Sequence, residues 1–257
     1  MQILKLLSIT LLFIAVPLAL IGTNTRILIN SPFLYEYGFD KYEIAAKTGI
    51  ERKDLLHASE QITEYFSNRE ELLELKVPVN GIRRNIYSER EVLHMRDVKN
   101  LVVGLYRFQE VSIAYIVVFS ALSLVITRGK FVGKLAKYFL MSGTLTLTII
   151  VITGLLSAIS FESVFLMFHL ISFSNDLWQL DPSRHYLIAM FPQNFFFDAT
   201  VAIAIATIFE ALLLTLLSSY SVRLWLGKRF ALIQYLSLIH ISEPTRPRLI
   251  SYAVFCL

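Results

Sequence analysis

The 257-residue chain contains a single cysteine, Cys256, next to its end. One thiol cannot make an intrachain disulfide. The ten glycines are scattered, so no glycine-rich phosphate loop is present. Neither a G-x-S-x-G elbow nor an H-E-x-x-H helix occurs, which removes the common serine-hydrolase and zinc-protease signatures. No repeat, low-complexity run or long linker appears, and no stripe interleaves basic with aromatic residues, so nucleic acid is not an expected partner. Charge is also scarce, at 17% of residues. An enzyme built from this set uses acid–base and electrostatic catalysis on a bound substrate rather than a covalent intermediate.

In place of charge there is apolar length. Hydrophobic residues make up 55% of the chain and the mean hydropathy is +0.59, well above the balance of a soluble domain. Four stretches, about 3–21, 105–126, 138–160 and 199–222, reach the ~20 residues needed to cross a hydrocarbon core. The predicted fold is an all-α polytopic membrane protein: four transmembrane helices under a small, mainly helical extracytoplasmic cap, as one unit over residues 1–235. The loop TRGKFVGKLAK (127–137) carries Arg128, Lys130, Lys134 and Lys137 and no acid, and Arg223, Lys228 and Arg229 follow the fourth span. By the positive-inside rule both termini are expected in the cytosol and segments 22–104 and 161–198 outside. The first apolar run is long for a signal peptide and has no small-x-small pair before Thr23, so an uncleaved helix is expected.

Residues 236–257 stand apart. Ser237–Leu257, SLIHISEPTRPRLISYAVFCL, resembles translated sequencing-adapter read-through, and Pro244 and Pro247 break the helical pattern. A non-native tail is expected there. Setting it aside removes Arg246, Arg248 and Glu243, so the net charge falls from +4 to +3, and it removes Cys256 as well.

The outer segment reads as helical. Thr48-Gly-Ile-Glu51 and Ser88-Glu-Arg-Glu91 both fit the capping-box pattern, in which a hydroxyl and a carboxyl reciprocally satisfy free N–H groups at a helix start. Leu55, Ala58, Ile62, Tyr65 and Phe66 form one apolar stripe after the first box. Ser67–Asn68 and Pro78, Asn80 and Gly81 mark turns, and Val77–Tyr87 reads as a short extended segment.

Candidate chemistry concentrates between Phe165 and Asp198, where His169, Asn175, Asp176, Trp178, Asp181, His185, Gln193 and Asp198 lie on an aromatic background beside the third and fourth spans. His169 falls within FLMFHLI, where an imidazole is costly to bury without a partner. It reads either as a satisfied interfacial histidine or as a general acid or base. Asn175–Asp176 fits a turn, Trp178 an interfacial anchor, and Asp181-Pro182 a turn or helix start. On the second helix His94 and Asp97 are three residues apart, so His94 reads either as a surface or capping histidine or as an imidazole that the carboxylate orients. His94 stands 17 residues above Val111, or ~25 Å along a helix, from the apolar core of its span. Glu210, inside the fourth span, is either functional or bonded to a neighbouring helix.

HMRDVKNL around His94 and FHLISFSNDLWQLDPSRHYLIAMFPQNFFFDA from Phe168 resemble the two signature regions of the bacterial lipoprotein intramolecular transacylases. The similarity, with the four-span plan and the Thr48-Gly-Ile helix, covers roughly residues 1–230. It implies an acyltransferase that moves the sn-2 acyl chain of a diacylglyceryl lipoprotein to the α-amine of its N-terminal cysteine, leaving a lyso-form lipoprotein. The family's two signature histidines match His94 and His169. Asp97, Asn175, Asp176, Trp178 and Asp181 are then the expected supporting or substrate-binding residues. Gln193 stands where a glutamate is usual, and His185 where an acid is common, so no carboxylate role is assigned to position 193. No cofactor and no metal are expected; the expected partners are a diacylated lipoprotein and membrane lipids, in a bacterial cell membrane with the site facing outside. Two other classes remain open from the residues: a small non-enzymatic transporter or scaffold, and a metal-dependent hydrolase using both histidines with Asp176, Asp181 or Asp198.

Overall fold

The computed structural model describes residues 2–79 and 81–242, with side chains through residue 227. Four long apolar helices carry the chain: α1 (Gln2–Ile29), α5 (Glu89–Ile126), α6 (Val132–Ile159) and α9 (Gln193–Ser242). Each contains an 18-residue window with a mean hydropathy between 1.9 and 2.4, and the sides of these windows are mostly unburied. Leu18, Val117, Leu155 and Leu216 point outward, as expected of surfaces solvated by lipid. The protein is an integral membrane protein of four apolar helices, as the sequence predicted.

Without a hydrophobic drive between helices, close backbone approach holds such a bundle together. α1 packs on α5, α6 and α9, and α6 runs along α9. Gly143 of α6 sits against Thr215 and Ala211, and Gly133 against the Trp225 ring; a side chain at either glycine would collide. Asn24 of α1 adds a polar tie, donating to Glu210 Oε2 at 2.8 Å and to Thr207 Oγ1 at 3.1 Å. Glu210 is thus bonded to a neighbouring helix.

The apolar core lies in the cap. α2 (Pro32–Lys41), α3 (Ile44–Thr48) and α4 (Arg52–Tyr65) bury Leu34, Phe39, Ile44, Leu55 and Tyr65, joined by Met190 of α8 (Tyr186–Met190). The stripe Leu55, Ala58, Ile62, Tyr65 and Phe66 is buried as its spacing predicted. The extended segment is a hairpin of β1 (Lys76–Val79) and β2 (Ile82–Asn85), antiparallel, with Val79 opposite Ile82. Gly81 takes φ +82° in its turn, and Asn80 lies outside the described residues.

The two capping boxes fare differently. At Thr48 no box forms. Thr48 ends α3, Gly49 at φ +70° turns the chain, and Glu51 caps α4 with no side-chain bond. The Thr48 hydroxyl instead donates to Ile44 O and accepts from Ile50 N–H. At Ser88 the box forms in full: Ser88 N–H donates to Glu91 Oε2 at 2.7 Å, and Glu91 N–H donates to Ser88 Oγ. Glu91 is 1% exposed, and its other oxygen accepts from Leu187 N–H at 2.8 Å, tying α8 to α5. α9 is helical through Ser242, and the break expected at Pro244 and Pro247 falls in residues 243–257, outside the described residues.

α6 stops at Ser160, whose extended backbone and hydroxyl cap the next helix, α7 (Phe161–Ser172), through Ser163 N–H at 3.3 Å. This break separates the span from the segment that carries His169.

Glu91→Ala should destabilise the protein by ~2–4 kcal/mol, the sum of a lost cap and a buried unpaired N–H at Leu187. Thermal unfolding in detergent checks this, and Glu91→Gln, which keeps one acceptor, should lose less.

Candidate functional site

The capping box at Ser88 starts α5 and sets Arg90, His94 and Asp97 at i, i+4 and i+7, on one face of the helix. α7 presents His169 inward while Met167, Phe168, Leu170 and Ile171 point outward. His94 and His169, 75 residues apart in the chain, meet with ring centroids 6.5 Å apart. They are 7% and 8% exposed.

Aromatic rings enclose the pair. Phe173 stands edge-on to His94 at 5.1 Å and also lies 5.7 Å from His169. Phe165 and Trp178 lie 4.4 and 5.0 Å from His169. In this setting burial disfavours the charged imidazole. Burial pushes His94 down to about 4; neighbouring His169 and Arg90 push the same way and Asp97 opposes them. Burial also lowers His169, against the opposing pull of the Phe165 carbonyl. Burial thus favours the neutral form of both rings.

The tautomer of His169 follows from its partner. Nδ1 is 2.7 Å from Phe165 O, and a carbonyl only accepts, so Nδ1 carries the hydrogen and Nε2 keeps a lone pair. His169 is thus a base with a fixed accepting atom. His94 Nδ1 is buried and has no hydrogen-bond partner among the described residues.

The supporting residues fall into place unevenly. Asp97 does not bond His94; its Oδ2 accepts from Asn175 Nδ2 at 2.8 Å. Asn175 Oδ1 accepts from Leu177 N–H at 3.0 Å, so both ends of that amide are occupied. The Asp176 carbonyl accepts from the Arg90 guanidinium, and its carboxylate takes Gln179 at 3.3 Å. Arg90 and Asp97 thereby pin the Asn175–Asp176 turn from both sides of His94. Trp178 is half-buried, and its indole N–H has no hydrogen-bond partner among the described residues, which leaves it available to a ligand. Asp181 accepts from Ser183 N–H and Oγ–H at 2.9 and 2.7 Å, and His185 Nδ1 accepts from Asp181 N–H. These bonds build a local turn, and none of them reaches the two histidines. Asp198 is engaged elsewhere, by Lys41 and Tyr42, both at 2.6 Å.

Sequence reasoning missed Arg90 and the second bond of Glu91. The capping pattern marks Glu91 as a cap, but no local signal points to a partner 96 residues away. Arg90 carries one available signal, its i, i+4 spacing to His94.

The fold is that of a helical membrane protein in which two buried histidines from distant segments meet. The family described as lipoprotein intramolecular transacylase Lit matches residues 10–196, a range that holds both histidines and every supporting residue above, and the chain belongs to that family. It is accordingly an acyltransferase of the intramolecular transacylase kind, and the family's name implies a lipoprotein substrate. The fold agrees. The solved structure of Lit from Bacillus cereus is 23% identical, with a TM-score of 0.73 over 90% of this chain and all of that one. A variant of the same protein with a histidine changed to arginine gives a TM-score of 0.68 at 22% identity, over 90% of this chain and 96% of that one. An uncharacterised protein of Aquifex aeolicus (strain VF5) is 25% identical over 202 residues, 78% of this chain and 88% of its own length. The transporter and scaffold reading is set aside by this membership.

The depressed His94 has a consequence for stability. The unfolded chain takes a proton at the ordinary imidazole value, ~6.5, and the folded chain only near 4. Between these values the unfolded state binds more protons, so stability is full above about 6.5 and falls as the pH drops toward 4. The unfolding temperature of wild type should fall more steeply over this window than that of His94→Phe. Equal slopes would show that His94 protonates freely in the fold.

Proposed function

We propose that His94 and His169 form one site, at which the sn-2 acyl chain of a diacylglyceryl lipoprotein passes to the α-amine of its N-terminal cysteine. The observation that carries the reading is the 6.5 Å approach of two buried imidazoles from distant parts of the chain. Aminolysis of an ester needs a neutral amine, a proton acceptor, and a donor for the oxyanion. The amine nitrogen attacks the sn-2 carbonyl carbon, and Nε2 of His169 accepts the amine proton as the C–N bond forms. The Trp178 indole N–H, 5.0 Å ring to ring from His169 and without a partner among the described residues, is the donor we assign to the developing oxyanion. The proton then goes to the sn-2 alkoxide as the C–O bond breaks, so the reaction consumes neither acid nor base. Donor and acceptor are parts of one molecule, so a high effective concentration lowers the barrier without a nucleophilic side chain.

Membrane lipids shape the approach to this site. The outward face of α7 is apolar, with Leu170 59% and Ile171 78% exposed, and it suits contact with acyl chains in the outer leaflet. The basic loop 127–137 supports cytosolic termini, with the cap and the histidines on the outer side.

His94→Ala and His169→Ala should each lower N-acylation ~10²–10⁴-fold while the protein stays folded. The readout is mass spectrometry of an N-terminal lipopeptide from a host that makes diacylglyceryl lipoproteins. An acyl chain still reaching the amine at the wild-type rate would remove the pair from the reaction. For topology, single cysteines at Lys53 and Ser183, in a Cys256→Ser background, should react with a membrane-impermeant thiol reagent in intact cells, and one at Lys134 should not. Labelling at Lys134 alone would invert the orientation.

A further inference from the structure

We propose that the polypeptide following the lipidated cysteine lies in a polar cleft that runs from Phe173, against the histidine pair, across α5 to the turn after α4. The inference rests on the transacylase reading above and names where the non-lipid half of that substrate binds. Two hollows, about 210 and 380 Å³, share Asp97 and Asn100 as a common wall. The smaller is lined by Ser172, Phe173 and Asn175; neither histidine lines it, but the Phe173 ring lies against both imidazoles, so this hollow is one ring away from the reacting groups. The larger lies between Asn68–Glu71 and the α5 residues Arg96, Lys99 and Asn100.

The substrate has two chemically opposite ends. Its acyl chains belong in lipid, on the side of the outward apolar face of α7. The cysteine carbonyl must lead the peptide away on a polar side, and the cleft is a polar hollow one ring away from the pair. Its lining suits a peptide backbone. Arg69, Arg96 and Lys99 are balanced by Glu70, Glu71 and Asp97, so the cleft does not select an anionic headgroup. The far bank is fixed by Lys99, which donates to Asn68 Oδ1 and Glu70 O at 2.9 and 2.7 Å, and by the Arg96–Glu71 pair at 3.5 Å. The Arg69 guanidinium and the Asn100 amide, by contrast, have no hydrogen-bond partner among the described residues and are available to backbone carbonyl and N–H groups.

The test uses the full chain in lipid nanodiscs with two synthetic substrates, a diacylglyceryl-cysteinyl hexapeptide and diacylglyceryl-cysteine amide. Two added backbone hydrogen bonds lower KM for the longer substrate about tenfold in wild type. Asn100→Trp, which fills the shared wall, and Arg69→Glu, a surface change that leaves the wall open, should each reduce this length advantage to under about threefold. A diazirine residue three positions after the cysteine should cross-link to 68–71 or 96–100. A length advantage that survives both variants, none in wild type, or cross-links elsewhere in the cap would overturn the cleft. If neither substrate is N-acylated but the cross-links fall in the cleft, the transacylase reading fails and the peptide site stands. Turnover that follows anionic lipid content and ignores peptide length would identify a headgroup site instead and overturn the proposal.

Discussion

One uninterrupted helix makes the site possible. α5 runs 38 residues, about 57 Å, from its cap at Ser88 to the far end of its span. A helix of that length exceeds a ~30 Å hydrocarbon core by several turns, and those turns stand above it as a rigid post. Arg90, Glu91, His94 and Asp97 all belong to this post. Glu91 fixes α8, Arg90 and Asp97 fix the Asn175–Asp176 turn, and His94 faces α7 between them. The break at Ser160 is the complementary device, because it frees α7 from the line of α6 and lets His169 turn inward.

The electrostatics follow from this packing. Two imidazoles that share an aromatic pocket cannot both be charged at small cost, and burial already favours the neutral form. A neutral pair is the state that aminolysis needs, since a protonated histidine accepts nothing. The Phe165 carbonyl selects the His169 tautomer, and its pull toward the protonated ring is outweighed by burial. Asp97, three residues from His94, is turned to Asn175, so the nearest carboxylate serves the loop rather than the ring.

Much of this was legible in the residues. Charge-free length gave the four helices, period gave the α4 stripe, and the apolar setting of His169 marked a costly imidazole. The box at Ser88 was legible because every residue it needs is local. The same pattern at Thr48 failed because Gly49 adopts a left-handed turn, which directs the Thr48 hydroxyl back to Ile44 and Ile50. Spacing placed Asp97 beside His94 but could not show a competing amide 78 residues away, nor the bond from Leu187 that makes Glu91 a tie between elements. Contacts between distant segments set these choices, and a single sequence carries no local trace of them.

On the proposed reading the two histidines act as one unit. The most direct measurement is the single-turnover rate of N-acylation for His94→Ala, His169→Ala and the double variant, with the acyl position read by mass spectrometry. Groups that share one proton path are non-additive, so the double variant should be no slower than the slower single variant. Losses that multiply would show two independent contributions and contradict a shared site.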